Sequence, residues 1–481
     1  MNTKNESLKV IDSFSKSITD ISDNIWDHPE TGYQEFFAAN LYCEFLKANG
    51  FELEEGICGI PTAFCATYGS GRPVIGFLAE YDALEGMSQQ AEVTECIPVT
   101  PGAPGHGCGH NLLGAGILGA VLAVKDYLSQ GKPGTVKLFG CPGEEIGSGK
   151  TFMSRAGAFD DLDTAISWHP SDVTEVGLTN SLANQQICYH FKGIASHAAS
   201  SPEMGRSALD ACELMNVGVQ FLREHVPTSC RIHYAITNSG GNTPGIVQPT
   251  ADVLYLMRGP ELRIVKDLRE RIDNIAKGAA LMTGTTVDIE FKKACSNTVP
   301  NLTLAKTMQK SLEELGNPAF DDNDRSLANA LFHKKEKKSD FYMGKCLQVT
   351  DPAKKEALLK YADAPIYEEF LPLSPFIGLG IASTDVGDVS NICPVVQVYV
   401  ATMPANTSIH SWQEVSVGKS AMAHKGMLQA AKIMASCAMD LYDDPEIIAE
   451  AKNELKERLK GETYICPIPK EIPCPAEKFK K

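Results

Sequence analysis

Long apolar stretches are missing from this sequence of 481 residues. No segment approaches the roughly 20 apolar residues that a membrane-spanning helix needs. The first residues, 1–6, are polar, and no apolar segment typical of a secretion signal follows them. These absences predict a cytoplasmic protein with no membrane partner.

Basic residues are also few, because 44 Lys and Arg stand against 60 Asp and Glu and the formal net charge is −16. Nucleic acids and anionic membranes are bound through clusters of basic side chains. The one basic cluster, residues 333–338, is interrupted by Glu336 and is typical of a solvated helix face. The charge balance therefore predicts no nucleic-acid partner.

The cysteines do not have the spacing of a disulfide framework. Their number, 15, is odd, and most lie inside apolar segments such as those around Cys188 and Cys212. Buried reduced thiols fit this pattern better than disulfides. The sequence has no internal repeat, and its 43% hydrophobic and 22% charged residues are ordinary for a globular chain of two domains, or of one domain with an insertion.

Strands and helices alternate in the first and last parts of the chain. Helices are predicted at residues 112–128 and 415–441, and apolar runs predict strands at residues 62–68, 73–79, 135–141, 164–168 and 395–402. This alternation predicts an α/β fold with a mostly parallel sheet covered by helices on both faces.

The pattern changes between residues 184 and 298. The predicted elements there are a strand, a helix, two strands, a helix and a strand, at residues 185–192, 206–225, 230–238, 245–258, 260–282 and 286–292. This βαββαβ order is that of a ferredoxin-like unit. We therefore predict one domain made of residues 1–183 and 299–481, with a second domain, residues 184–298, inserted into it. Residues 317–370 are charged and poorly patterned, and no element is assigned to them.

The first candidates for chemistry are Cys108 and His110, which lie in a glycine-rich stretch before an apolar helix. Thiolate and imidazole are preferred ligands of zinc-like ions, and the glycines allow the backbone to turn so that both can face one point. Two such residues without further ligands are more often incidental than metal-binding. The hypothesis of a metal centre therefore depends on further ligands.

Further ligand-type residues follow the predicted strands, where ligands bind in open α/β sheets. They are Asp82, Glu144, Glu145, His169 and His410. Neighbouring side chains of an extended backbone point to opposite sides, so one glutamate can bind a metal while the other is the general base for an activated water. With the thiol and imidazole above, the two histidines and one glutamate make five ligands on one rim, enough for two metals that share a ligand.

Two other residues have more than one interpretation. Asp82 suits the role of accepting a hydrogen bond from a ligating imidazole, and capping a turn is the alternative. His197 lies in a loop of small residues after the strand at 185–192, and its position alone predicts a turn residue.

The motifs around these residues together resemble the M20 family of metallopeptidases and amidohydrolases, in its M20D branch. The resemblance runs from residues 28–30 to 464–469 and is weakest at 317–370. The motifs that carry it are Ala79-Glu80-Tyr81-Asp82-Ala83-Leu84, Gly107-Cys108-Gly109-His110-Asn111, Gly143-Glu144-Glu145, Trp168-His169-Pro170, Gly193 with His197-Ala198, Pro202 and Gly205, and Ile409-His410.

This resemblance implies two divalent ions per subunit, Zn²⁺ or Mn²⁺, bridged by the thiolate and held by Cys108, His110, Glu145, His169 and His410. Glu144 is implied as the general base. The inserted domain is implied to be a lid and dimerisation domain, whose His197 reaches a neighbouring subunit's site to stabilise the oxyanion. Arg258 is a candidate for binding a substrate carboxylate, and Asn242 is a weaker one.

The implied reaction is hydrolysis of the amide bond of a small N-acyl amino acid, in particular an aromatic-acyl glutamate such as p-aminobenzoyl-glutamate. The implied assembly is a homodimer, or a heterodimer with a related subunit. A dipeptidase or general aminoacylase of the same branch is an alternative, and so is a non-catalytic subunit of a heteromeric hydrolase, which the intact ligand set disfavours. The wider branch has Asp where this chain has Glu80 and Asn111, and these departures leave the metal preference open.

Overall fold

The computed structural model describes residues 4–332, 349, 351–360, 364–380 and 382–479. All elements named below belong to these ranges. The basic cluster at residues 333–338, predicted to be a helix face, lies outside the described residues.

The strands, in chain order, are β1 (Glu52–Glu55), β2 (Phe64–Ser70), β3 (Val74–Ala79), β4 (Gly134–Gly140), β5 (Thr164–Ser171), β6 (Glu175–Gly177), β7 (Thr179–Asn180), β8 (Ala183–Lys192), β9 (Arg231–Asn238), β10 (Thr250–Gly259), β11 (Thr286–Cys295), β12 (Gly378–Leu379) and β13 (Val395–Ala401). The α-helices are α1 (Lys4–Asp27), α2 (Phe36–Ala48), α3 (His110–Leu128), α4 (Glu144–Gly147), α5 (Gly149–Arg155), α6 (Ala208–Leu222), α7 (Leu262–Thr283), α8 (Leu302–Leu315), α9 (Asp322–Phe332), α10 (Pro352–Lys360), α11 (Val386–Ser390), α12 (Trp412–Val417), α13 (Ala421–Asp443) and α14 (Pro445–Arg458). Helices α9 and α10 fall in the stretch for which the sequence predicts no element.

The larger sheet has seven strands in the order β1-β2-β4-β3-β5-β13-β6. Its four central strands, β4, β3, β5 and β13, are parallel, and the flanking strands are antiparallel to their neighbours. The α/β fold class is confirmed, and the predicted parallel arrangement describes the four central strands. The connection from β1 to β2, residues 56–63, is shorter than the dozen residues that a parallel crossover requires, so this edge is antiparallel and the sheet is mixed.

Both faces of this sheet are covered, as predicted. Successive side chains of a strand point to opposite faces, and β3 shows the consequence. Phe77 packs into the core formed with α1, α3 and α13, whereas Leu78 packs into a second core with Phe139 of β4 and Phe152 of α5.

Helix α3 is buried along almost its whole length between α1 and α13. By length and composition its 19 residues could cross a membrane, but 89% of the tested window is buried inside the fold. The prediction that no stretch approaches this length is therefore wrong for α3. Small residues contribute much of its apolar character and allow close packing, since a Cβ at Gly119 would lie 3.0 Å from Ala431 of α13.

A second sheet contains β8 to β11 in the order β11-β8-β10-β9, with α6 and α7 packed against it. The chain order β8-α6-β9-β10-α7-β11 confirms the ferredoxin-like βαββαβ unit. The chain enters this unit at the start of β8 and leaves it at the end of β11, and these two strand ends are adjacent because Asn184 pairs with Cys295. The domain limits at residues 184 and 298 stay a prediction.

Candidate metal centre

Four strands of the larger sheet bring ligand-type residues to one rim. Strand β3 leads into Asp82, β4 leads into α4, His169 lies near the end of β5, and β13 leads into the loop that carries His410. Helix α3 begins on the same rim with His110. This rim is the carboxyl edge of the parallel strands, where open α/β sheets bind their ligands.

Gly109 sets the relation between Cys108 and His110. It precedes α3 with a φ of 65°, a left-handed conformation that residues with a Cβ rarely adopt. A Cβ at this position would also lie 2.9 Å from Pro170, the neighbour of His169. The glycine thus makes the turn and the close approach that bring the thiol and both imidazoles into one group.

All five predicted ligands come together on the rim. Their ligand atoms form overlapping groups whose members all lie within 4.8 Å of one another, namely Cys108–His110–His169, Cys108–Glu145–His410 and His110–Glu144–Glu145. The Cys108 Sγ lies 3.5 Å from His169 Nε2, and His410 Nε2 lies 3.2 Å from Glu145 Oε1. Two ligands of one tetrahedral ion are separated by about 3.3–3.5 Å, given bonds of about 2.0–2.3 Å. The spacing of both pairs therefore suits a shared ion.

The backbone of the glutamate pair differs from the prediction. Glu144 and Glu145 begin the short helix α4 after Gly143, whose φ is 68°, so the prediction of extended backbone is wrong here. Two buried carboxylates hold this turn, because Glu35 accepts a hydrogen bond from the Gly143 N–H at 2.8 Å and Asp82 accepts one from the Glu145 N–H at 2.9 Å. Adjacent side chains on a helix point about 100° apart, so the two carboxyl groups still face different partners.

Asp82 connects two of the predicted ligands. Its Oδ1 lies 2.9 Å from the Nδ1 of His110, and its Oδ2 accepts the Glu145 backbone hydrogen bond. A carboxylate accepts only, so His110 carries a hydrogen on Nδ1 and directs Nε2 to the rim, where a bound cation would replace the second ring hydrogen. This is the arrangement in which a carboxylate orients a metal-binding imidazole, and it fits the predicted role of Asp82.

Burial and charge separate the two glutamates. Burial raises the pKa of Glu144 well above its ordinary value, and nearby carboxylates add to the effect. Burial also acts on Glu145, but its contact with His410 and the charge of His110 lower its pKa to about 2. Glu145 therefore stays ionised, as a ligand must, while Glu144 holds a proton readily. Burial also raises the pKa of the Cys108 thiol well above its usual range, and a bound cation would counter this.

A buried ion-pair network beside the ligands is not predicted from the sequence. Lys150, on α5, is fully buried, and its Nζ lies 2.7 Å from Glu80 and 2.5 Å from Asp385. Asp385 also accepts the backbone N–H of Lys150 at 2.8 Å. Only Glu80 has a signal in the sequence, as a departure from the M20D pattern. Nothing in the spacing connects Lys150 with a residue 235 positions later.

Buried atoms on the rim test whether the residues fit a metal. His110 Nε2 and Glu145 Oε1 are both buried, and neither has a hydrogen-bond partner among the described residues. A bound cation would satisfy both atoms, because the Glu145 carboxylate is an acceptor and the Nε2 of a neutral His110 ring with its hydrogen on Nδ1 offers a lone pair. Sulfur, nitrogen and oxygen donors suit zinc and are also compatible with manganese. The residues therefore fit divalent metal ions.

Another group of ligand-type residues, Cys188, His190 and Glu290, lies on the smaller sheet. Its imidazole is engaged on both sides, with Nδ1 2.7 Å from Asp252 and Nε2 2.9 Å from Glu290. These contacts make the group an ion-pair cluster with its own internal partners.

His197 lies away from the ligands. It is exposed in the loop after β8, and among the described residues no hydrogen bond or ion pair joins it to the ligand set. Its Nδ1 accepts the backbone N–H groups of Ala199 at 3.2 Å and Ser200 at 3.1 Å. The hydrogen of a neutral ring is therefore assigned to Nε2, which can donate outward.

The two predicted substrate-binding residues lie at opposite ends of the smaller sheet. Asn242 is in the loop before β10, close to the His197 loop, where the Ala198 N–H donates to Gly245 at 2.9 Å. Arg258 is near the other end of β10, and its Nη1 donates to Ser383 at 3.0 Å. Strand residues rise about 3.4 Å each, so the length of β10 separates the two. The structure does not bring them together within one subunit, and both roles stay predictions.

Comparison with known proteins decides the family. The model of Peptidase family M20/M25/M40 matches residues 76–348. The chain is also 45% identical over 466 residues to the B subunit of p-aminobenzoyl-glutamate hydrolase of Escherichia coli (strain K12), and the match covers 96% of each chain. The chain belongs to the M20 peptidase family.

Other M20 relatives are more distant. Xaa-Arg dipeptidase of Mus musculus is 27% identical over 478 residues, covering 96% of this chain and 94% of the relative. A solved dinuclear metal-binding M20 peptidase of Bacillus subtilis shares the fold with a TM-score of 0.57 at 15% identity, covering 90% of this chain and 99% of that one. The M20 family predicted from the motifs is confirmed, and the chain is a hydrolase that acts on amide bonds with divalent metal ions.

Proposed function

We propose that this M20 enzyme hydrolyses the amide bond of an N-acyl amino acid, specifically an aromatic-acyl glutamate such as p-aminobenzoyl-glutamate. The observation that carries the proposal is the pair of ligand triads that share Cys108, with Glu144 beside them on the same rim. The 45% identical relative, which is named for the hydrolysis of p-aminobenzoyl-glutamate, supports this choice of substrate.

We infer that two ions bind, one at each triad. Cys108, His110 and His169 would hold one ion, and Cys108, Glu145 and His410 would hold the other. Zn²⁺ suits this mixture of sulfur and nitrogen ligands, and Mn²⁺ is the alternative. When bound, the ions polarise the substrate carbonyl and activate water.

The protein's own groups move and hold the proton. Glu144 accepts a proton from the attacking water and donates it to the leaving nitrogen. Its raised pKa suits this role, because the carboxyl group retains the proton until the nitrogen takes it. Glu145 stays ionised throughout, and Asp82 keeps the Nε2 of His110 directed to the rim.

We infer a homodimer built on the smaller sheet, the proposed lid and dimerisation domain. Strand β9 is an edge strand that exposes Tyr234 and Ile236, and α6 of the same unit exposes Val217 and Phe221. An unpaired edge beside exposed apolar side chains favours pairing with another chain. In such a dimer, His197 of the partner subunit would reach the site and donate from Nε2 to the oxyanion. The 45% identical relative is named as one of the subunits of its hydrolase, which supports a heterodimer as the alternative assembly.

Arg258 and Asn242 are the proposed contacts of the substrate carboxylate. Arg258 hydrogen-bonds Ser383, which lies two residues before Asp385 of the buried network. It is therefore on the side of its own subunit's metal centre, where a guanidinium can bind a carboxylate through two hydrogen bonds. Asn242 shares the end of the sheet that carries His197 and would act from the partner subunit.

The purified chain loaded with Zn²⁺ or Mn²⁺ is expected to hydrolyse p-aminobenzoyl-glutamate at least about tenfold more efficiently than Xaa-Arg dipeptides or N-acetyl amino acids. A pocket built for a polar group discriminates strongly against substrates that lack it. The measurement is kcat/KM across this panel. p-Aminobenzoyl-glutamine is the matched control, because it keeps the size and removes one carboxylate.

Two outcomes of that panel favour the alternatives. A preference for Xaa-Arg substrates would favour a dipeptidase, the activity named for the 27% identical relative. Activity that appears only after a related subunit is added would favour a non-catalytic role for this chain. The cytoplasmic location stays a prediction.

A further inference from the structure

We propose that Glu414 is a positioning residue for the triad Cys108–Glu145–His410. Its carboxyl group fixes the backbone of His410 so that the imidazole meets Glu145. The proposal rests on the two-ion centre proposed above and adds to it a residue outside the ligand set. Three features of the structure support it: how His410 is held, which hydrogen bond Glu414 accepts, and how deeply its carboxyl group is buried.

The first feature is the way in which His410 is held. Its side chain is 52% exposed, whereas that of His110 is 1% exposed, so packing orients the imidazole of His410 far less. Its φ is 58°, a left-handed conformation that residues other than glycine rarely adopt. Such a conformation persists only where the surroundings impose it. The direction of this imidazole therefore depends on the contacts of its backbone.

Two acceptors hold the backbone N–H of His410. One is the carbonyl of Gly107 at 2.8 Å, and the other is Oε2 of Glu414 at 3.0 Å. Gly107 precedes Cys108, so the first bond joins the His410 loop to the loop of the shared thiol. The second acceptor belongs to α12, which begins two residues after His410. Together the two bonds place two ligands of the triad relative to each other.

The second feature is an altered helix cap. Ser411 is the N-cap of α12, and its hydroxyl accepts the N–H of Glu414 at 3.4 Å. In a capping box, the glutamate at this position accepts the backbone N–H of the N-cap residue itself. Here Glu414 accepts the N–H one residue earlier, which is that of the ligand His410. The start of the helix thus holds a predicted metal ligand.

The third feature is the burial of the carboxyl group. Glu414 is 2% exposed, and its Oε1 has no hydrogen-bond partner among the described residues. This oxygen lies near the turn between Cys108 and His110, since a Cβ at Gly109 would be 3.8 Å from it. Burying an unpaired polar atom costs free energy, and natural proteins break this rule mainly at functional sites. The burial therefore indicates that the bond to His410 serves the site and not the helix alone.

The test is metal binding and the backbone of His410, both measured without substrate. Metal-free wild type and Glu414 variants are titrated with Co²⁺ while the thiolate and ligand-field absorption is recorded, and crystal structures of the same metal-free proteins give the φ of His410. Glu454→Leu is the matched control. Glu454, on α14, also accepts backbone N–H groups at the start of a helix, those of Leu302 and Thr303 at 2.8 and 2.9 Å, but it lies outside the ligand set.

For Glu414→Leu we expect one of the two ions to bind about 10–100-fold more weakly, the effect of removing a partner that orients a ligand. The φ of His410 should leave the left-handed region. Glu414→Asp ends about 1.5 Å short of the N–H and should show the same change, which keeps the test usable if the Leu variant folds poorly. Glu454→Leu should bind both ions like the wild type.

Glu414→Gln is the conservative variant. An oxygen of a carboxyl group accepts a hydrogen bond in either protonation state, and an amide oxygen accepts the same bond. Glu414→Gln should therefore keep the φ of His410 and bind both ions within about threefold of the wild-type affinity. His410→Ala, which removes the ligand itself, should weaken the same ion as Glu414→Leu.

Other results would overturn the proposal. Wild-type Co²⁺ binding by Glu414→Leu, with the φ of His410 unchanged, would show that Glu414 does not position this ligand. Equal losses in Glu414→Gln and Glu414→Leu would show that the hydrogen bond is not the cause. Failure of the two-ion centre would look different, because the wild type itself would bind a single ion. The φ of His410 in the metal-free variants would then still decide the role of Glu414.

Discussion

Glu144→Gln is expected to lower kcat by at least about a hundredfold while the protein still binds its metal ions. A positioned general base contributes about 10²–10⁴-fold, and glutamine keeps the size of the side chain but cannot accept the proton. Glu145, with its pKa near 2, cannot replace it at neutral pH. The loss should therefore fall on kcat and leave KM nearly unchanged.

The measurement combines steady-state kinetics on p-aminobenzoyl-glutamate with metal analysis of the same sample. Metal content matters because an oxygen of Glu144 lies within 4.8 Å of ligand atoms of His110 and Glu145. Asp388→Asn is the control. Asp388 is also a buried carboxyl group, whose pKa burial raises to about 6, but it lies outside the ligand set. Turnover by the Gln variant within threefold of wild type would refute the role of Glu144.

His197→Ala is expected to reduce kcat by about 10²–10³-fold, the effect of removing one donor to the oxyanion. The reason is the assigned tautomer, in which Nδ1 is occupied by two backbone N–H groups and Nε2 can donate. Ser200→Ala, an exposed change in the same loop, should leave turnover intact. Stability should be unaffected, because the imidazole is exposed.

Mixing two inactive variants tests whether His197 acts across the subunit boundary. In a hybrid dimer of His197→Ala and Glu144→Gln, one of the two sites keeps both native residues. Random exchange of subunits makes half of the dimers hybrids, so roughly a quarter of wild-type activity should return. Activity that stays at the level of the separate variants, although hybrids are shown to form, would contradict the inferred crossing of subunits.

The rim could be predicted because it depends on local rules. Apolar runs mark the strands, and ligands bind beyond the carboxyl ends of parallel strands. His169 and His410 therefore lie where their strands predict, although they are far apart in the chain. The register supports the same rule, since β5 and β13 pair in parallel with Trp168 opposite Val398.

The Glu80–Lys150–Asp385 network could not be predicted in this way. A fully buried lysine is rare and stable only if it is paired. Its partners are Glu80, directly after β3, and Asp385, in the loop before α11, both far away in the sequence. The prediction of extended backbone at Glu144 and Glu145 was wrong for a similar reason. Hydrogen bonds to Glu35 and Asp82, which are distant in the sequence, turn the chain into α4. Tertiary contacts decided both cases.

The connection of the smaller sheet has a consequence for motion. The chain enters through β8 and returns through β11, and these strands pair up to Asn184 and Cys295, with a register shift between Phe291 and Lys293. Because the two connections to the rest of the fold lie side by side at this pair, we expect the smaller sheet to move as a flap that hinges there. Lys293, two residues before Cys295, donates to the backbone carbonyl of Glu145 at 3.2 Å. Bending at the flap's base would therefore pull directly on the turn that carries Glu144.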